Sequence, residues 1–158
     1  MLTSHRLIIT FIVFVFAQFF FAAAFYNSAA QALCEVEVSF IKGSAESAQV
    51  EQIDSVILEQ LKELPFSSFV LLNKERKKVD FNEVSFFSLT TDHGENKVAI
   101  TPIKIEGNKV PALIEWTSAK GENILSSKIS LINGGNMVFG AEHGNTRCTV
   151  INISMNCQ

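Results

Sequence analysis

The chain has 158 residues, with 13 lysines and arginines against 16 aspartates and glutamates and a formal net charge of −3. That balance excludes a strong electrostatic pull toward nucleic acid or anionic lipid. Beyond an apolar N-terminal stretch, the chain is long enough for one domain with a real core and too short for two.

Residues 7–25 read LIITFIVFVFAQFFFAAAF, interrupted only by Thr10 and Gln18, preceded by His5 and Arg6, and free of acids. This is an export signal. A secretory apolar region is usually about 7 to 15 residues and a spanning helix about 20, so length alone leaves cleavage and retention open. Polar Asn27 and Ser28 followed by Ala30-Gln31-Ala32 form an A-x-A site, which predicts a signal peptide over 1–32 and an exported domain over 33–158. The alternative is a membrane anchor formed by residues 7–25. Lipidation at Cys34 is disfavoured because bulky Leu33 precedes it where a small residue is needed. Removing 1–32 takes away Arg6 and no acid, leaving 12 bases against 16 acids, a charge of −4.

From Cys34 the chain alternates as Cys34, Val36, Val38 and Phe40 against Glu35, Glu37 and Ser39, the pattern of a strand with one buried face. Val50, Ile53, Ile57, Leu61 and Leu64, with Val56 widening the stripe, predict one amphipathic helix over 48–64, stopped by Pro65. A short apolar strand follows over 66–72. The basic run Asn73 to Lys78, NKERKK, reads as a solvated turn before a strand over 79–90. Asp92 to Asn96 is polar turn material. Strands over 97–105 and 110–117 flank Glu106-Gly107-Asn108-Lys109, a hairpin connection. Pro102 and Pro111 lack an amide donor and are expected to face outward, on an edge or at a bulge. Further strands over 124–132, 136–140 and 147–155 are separated by Gly-Asn turns. The fold class is α+β, mainly antiparallel, a sandwich, open barrel or meander of about 7 to 8 strands with one helix packed on the sheet.

The order of a helix ending LKELPF, a strand SSFVLLN, the hairpin AITPIKIEGNKVPALIEW and the segment ISLINGGNMVFG resembles a group of small exported bacterial proteins without an established activity. ISLINGGNMVFG is also similar to a strand-turn-strand element of secretins, the outer-membrane secretion channels. The resemblance implies an envelope context and supplies no catalytic residue. The chain lacks the length and extra strand pairs of a pore-forming subunit, so the channel role is not carried over.

Asp92-His93-Gly94 and Glu142-His143-Gly144 are the candidates for metal chemistry, since two imidazoles and two carboxylates would suit a transition metal if the loops met. Asp-x-Gly and Glu-x-Gly are also ordinary turn chemistry. No Gly-x-Ser-x-Gly elbow occurs, and no cofactor is implied. Phe86, Phe87 and Trp116 are the candidates for an interaction surface: neighbours on a strand point to opposite faces, so one of Phe86 and Phe87 leaves the core. Trp116 alternates with Ile114 and Ala112, which makes core or rim packing its default.

Three cysteines, Cys34, Cys148 and Cys157, leave one thiol over in a compartment that permits disulfides. Cys148 and Cys157 lie about 30 Å apart along one extended strand, too far to bridge. By side-chain parity Cys34 with Cys157 is the favoured pair and Cys34 with Cys148 the second choice. The expectation is a non-catalytic periplasmic or extracellular domain that binds an envelope protein by a sheet edge or an apolar strand face. It carries no nucleic acid, and it touches membrane only through an uncleaved N-terminal segment. The alternatives are a small-ligand carrier with an apolar pocket lined from Ile53 and Ile57, and a metal-dependent hydrolase at His93 and His143.

Overall fold

The computed structural model describes residues 33–45, 50–51, 53–91, 94–142 and 146–158. The expected signal peptide and its cleavage site lie outside them. Among the described residues no helix is long and apolar enough to cross a membrane. The described residues form nine strands and one helix, in chain order: β1 (Leu33–Ser44), β2 (Val50–Glu51), α1 (Ser55–Leu61), β3 (Ser68–Asp80), β4 (Ser85–Thr91), β5 (Gly94–Pro102), β6 (Lys109–Thr117), β7 (Asn123–Ile132), β8 (Asn136–Glu142) and β9 (Arg147–Cys157).

The strands form a five-stranded sheet in the order β2-β3-β1-β9-β8 and a four-stranded meander β4-β5-β6-β7. All pairings are antiparallel except β2 with β3. One core joins the inner faces of both sheets. Val36, Val38 and Phe40 of β1 and Ile151, Ile153 and Met155 of β9 meet Phe87, Val98, Ile100, Ile114 and Trp116 of the meander. The architecture is a β-sandwich, the mainly antiparallel fold with one helix that the alternation implied. Each fully buried large side chain contributes roughly 1.5–3 kcal/mol.

The outer face of the five-stranded sheet carries a second, smaller core. A register shift in β1 falls between Phe40 and Ile41, and both are fully buried, because Phe40 faces the sandwich interior and Ile41 faces the helix. Ile41, Phe69, Cys148 and Val150 pack there against Ile57 and Leu61 of α1. The helix is much shorter than the stripe over 48–64 suggested. Asp54 holds a non-helical backbone and its side chain accepts from Val56 N at 3.2 Å, which starts the helix at Ser55. Val50 and Glu51 instead pair with Phe69 and Val70 as a parallel strand. Val56 does not widen the buried stripe; it is 59% exposed.

NKERKK is not a turn but the middle of the 13-residue β3. Lys74, Arg76 and Lys78 lie opposite Ser39, Glu37 and Glu35 on β1, so the glutamates that alternate on one strand are matched by bases that alternate on the next. Lys74 reaches Glu37 at 2.8 Å, and Arg76 reaches Glu37 at 2.6 Å and Glu35 at 3.4 Å. Burial pushes the Glu37 carboxyl up, but hydrogen bonds from Lys74 and Arg76, with their charges, outweigh it and hold it below its ordinary value. The expected strand over 79–90 is likewise two elements, divided where Asn82 adopts a left-handed φ of 64°.

Both prolines are buried rather than turned outward. Pro111 lies in β6, an inner strand of the meander. The β5–β6 ladder ends at Pro102 and Ala112, so Pro111 forfeits only the return bond to Ile103 at the margin of the ladder. Its carbonyl still accepts from Ile103 N at 2.8 Å.

The first and last strands are neighbours at the centre of the five-stranded sheet. Cys34 faces Cys157 across them, and the expected disulfide joins the two, with a Cα separation of 4.0 Å. Such a bond fits an oxidising compartment. Beside it, the β8–β9 ladder is completed by a side chain. Asn133 Nδ2 donates to Cys157 O at 2.8 Å, and Asn133 Oδ1 accepts from Cys157 N at 2.7 Å. The Asn133 N–H also bonds Asn108 O at 2.7 Å, tying the β5–β6 hairpin to the same point.

Candidate interaction edge

Of the three aromatic candidates for an interaction surface, only Phe86 is exposed. Phe86 is 59% exposed, whereas Phe87 and Trp116 are fully buried, and a residue in the inter-sheet core has no area to offer a partner. Phe87 packs beneath Lys77, whose Nζ lies 4.9 Å from its ring centre. Trp116 sits between Val98 and Leu125, and its Nε1 has no hydrogen-bond partner among the described residues. Phe86 stands beside Ala99 and Glu115 on an outer face that also carries Ser88 and Lys97. A single phenylalanine on a mixed face is ordinary surface.

The edges of the two sheets are more distinctive, because an edge strand presents unpaired N–H and C=O groups unless something blocks it. The β4 edge is blocked by side chains from β3. Asn73 Nδ2 donates to Ser88 O at 3.2 Å, Glu75 Oε1 accepts from Ser88 N at 3.3 Å, and Lys77 Nζ donates to Phe86 O. These three residues belong to the inner-facing set of NKERKK, which no local pattern marks as edge caps. The β2 strand is two residues long. The β7 edge exposes the backbone of Ser126, Lys128 and Ser130, and Lys128 stands mid-strand as the charge that discourages pairing.

Among the described residues the β8 edge has no such protection. The Gln158 N–H bonds Leu33 O on β1, whereas Met155 N bonds Gly135 O and Met155 O accepts from Gly134 N. Odd-numbered residues of β9 therefore bond toward β8, and they pair with Met137, Phe139 and Ala141. The backbone groups of Asn136, Val138 and Gly140 point away, to the free edge. Between Asn136 and Ala141 the strand has neither charge nor proline. A Cβ built on Gly140 meets only Val150 Cγ2, at 4.0 Å.

Alongside this edge runs an open groove of about 430 Å³ between α1 and β8, lined by Glu59, Gln60, Glu63, Leu64, Val138 and Gly140. A polar chain holds its two walls: Gln60 Nε2 donates to Asn136 Oδ1 at 3.4 Å, and Asn136 Nδ2 to Asn152 Oδ1 at 2.9 Å. Asn152 is buried, opposite buried Ser39 on β1. On the inner face of the same strand Met137, Phe139 and Ala141 pack against the main core yet stay only half-buried. Ile57, expected to line an apolar pocket, is instead buried in the helix-side core, with Ile53 packed against it.

Asp92, His93 and His143 lie outside the described residues. Glu142 is exposed at the end of β8, paired with Cys148. Among the described residues no group of three or more His, Cys, Asp and Glu gathers as a metal would need. Cys148 is a buried free thiol. Burial pushes it up, against a hydrogen bond with the Gly43 backbone, and Glu142 adds to the rise, so the group stays protonated and unreactive at neutral pH. No family model matches the chain, and neither a curated protein nor a solved structure matches it.

Proposed function

We propose that this chain is an exported, non-catalytic envelope domain that binds a protein partner by adding the partner's strand to the β8 edge. The observation that carries the reading is the contrast between edges: β4 is closed by three side chains and β7 carries Lys128, while Asn136, Val138 and Gly140 hold open backbone groups beside a groove. Main-chain bonds to such an edge provide affinity, and the side chains flanking it provide choice of partner. The export segment and the disulfide support placement in an oxidising envelope compartment.

The test is photocrosslinking in the native host, with a photoreactive residue at Val138 and, separately, at Lys128. A defined crosslinked species from Val138 that disappears in Gly140→Pro or Gly140→Lys is the expected result. Proline removes a donor that points off the sheet, and the open space at Gly140 accepts either side chain. Crosslinks arising only from Lys128, or surviving both substitutions in variants that melt like wild type, would overturn the reading.

A further inference from the structure

Resting on the β8-edge reading, we infer that the groove beside β8 takes an extended protein segment whose residues alternate between basic and apolar. A strand added to β8 sends successive side chains to opposite faces of the sheet. On the outer face they meet the helix wall, where Glu59 and Glu63 flank Gln60 and Leu64. Glu59 already pairs with Lys62 three residues on, but Glu63 has no ion pair among the described residues, so the wall is net acidic. On the inner face they meet Met137, Phe139 and Ala141, half-buried side chains whose cover against solvent an added strand would complete. The two sides of one edge thus ask for two chemistries at a spacing of two residues. Helix wall and strand edge keep their spacing through the Gln60–Asn136–Asn152 chain, so the groove exists before a partner arrives.

The experiment uses protein purified from its own host and two labelled seven-residue peptides, one alternating lysine with valine and one alternating glutamate with valine. Affinity is read by fluorescence anisotropy and location by amide hydrogen exchange. The lysine peptide should bind about tenfold more tightly at low ionic strength, with the preference shrinking as salt is added. Its binding should slow exchange at Val138 and Gly140. The Glu59→Lys, Glu63→Lys double variant should reverse the preference without changing the melting curve appreciably, since both positions are exposed. Equal affinities, no binding of either peptide, or protection at Ser126 and Lys128 instead of β8 would overturn the inference. If crosslinking from Val138 still depends on Gly140 while the peptides show no charge preference, the edge reading stands and the partner chemistry falls.

Discussion

Gly43 and Cys148 face each other across β1 and β9, and only the absence of a side chain at 43 leaves room for the thiol. A Cβ at Gly43 would stand 2.4 Å from Cys148 Sγ and 3.2 Å from Phe69 Cε1, against ordinary carbon contacts of about 3.5–4.0 Å. The sulfur is one bond from its own Cβ and is only 2% exposed, so its swing is limited by Ile41, Phe69 and Val150 in the same core. Overpacking of this kind costs about 1–3 kcal/mol, and the stiffer unfolded chain of an alanine offsets roughly 0.4–1 kcal/mol. Gly43→Ala is therefore expected to lose about 1–2 kcal/mol, or roughly 3 to 10 °C in melting temperature. Cys148→Ala alone should also destabilise, by emptying buried space. Combining them should be milder than the sum by about 1–2 kcal/mol, because the new methyl occupies what the sulfur vacates. Trp116, the lone tryptophan and fully buried, reports unfolding in urea by its fluorescence. Additivity within about 0.5 kcal/mol, or a neutral Gly43→Ala, would refute the complementarity of this pair.

Three further outcomes follow from the geometry. Replacing Cys34 and Cys157 by alanine releases a loop spanning 123 positions and should lower stability by about 5 kcal/mol on chain-entropy grounds; a drop in urea stability below about 1 kcal/mol would contradict that. Asn133→Ala strips both bonds from the Cys157 backbone and should cost about 1–3 kcal/mol with early exchange of the Cys157 amide, whereas an unchanged exchange rate would show the cap to be idle. Glu37 is held below its ordinary value of 4.5, so its contribution is complete above that pH and is lost as pH falls through the lowered folded value. The melting-temperature advantage of wild type over Glu37→Gln should thus be present at about pH 6 and diminish as the pH falls below 4.5; an advantage independent of pH would place it elsewhere.

What the sequence determined by itself was whatever depends on neighbours along the chain. Alternation from Cys34 to Phe40 marked β1 and its buried face, because successive strand residues point to opposite sides. The same parity separated Phe86 from Phe87 and placed Cys34 and Cys157 on a common inner face. Glu106 to Lys109 was legible as a hairpin because Gly107, at φ 65°, supplies the left-handed position the turn needs. Pro65 bars helix beyond it for an equally local reason, but α1 already ends at Leu61, short of the expected limit at 64.

Only the tertiary structure decided the features that depend on which strands become neighbours. NKERKK looked like solvated turn until β1 supplied Glu35 and Glu37 opposite its bases and β4 supplied a bare edge for Asn73, Glu75 and Lys77. Val50 and Glu51 fall within the expected helix over 48–64 but pair with β3, because Asp54 caps a helix that starts only at Ser55. Pro111 is accepted in an inner strand because it stands at the margin of the β5–β6 ladder, where only one return bond is forfeited. The open edge of β8 was hidden for the same reason. Whether a strand is an edge is a property of the sheet order, and sheet order is set by the packing of distant apolar faces, which local periodicity does not encode.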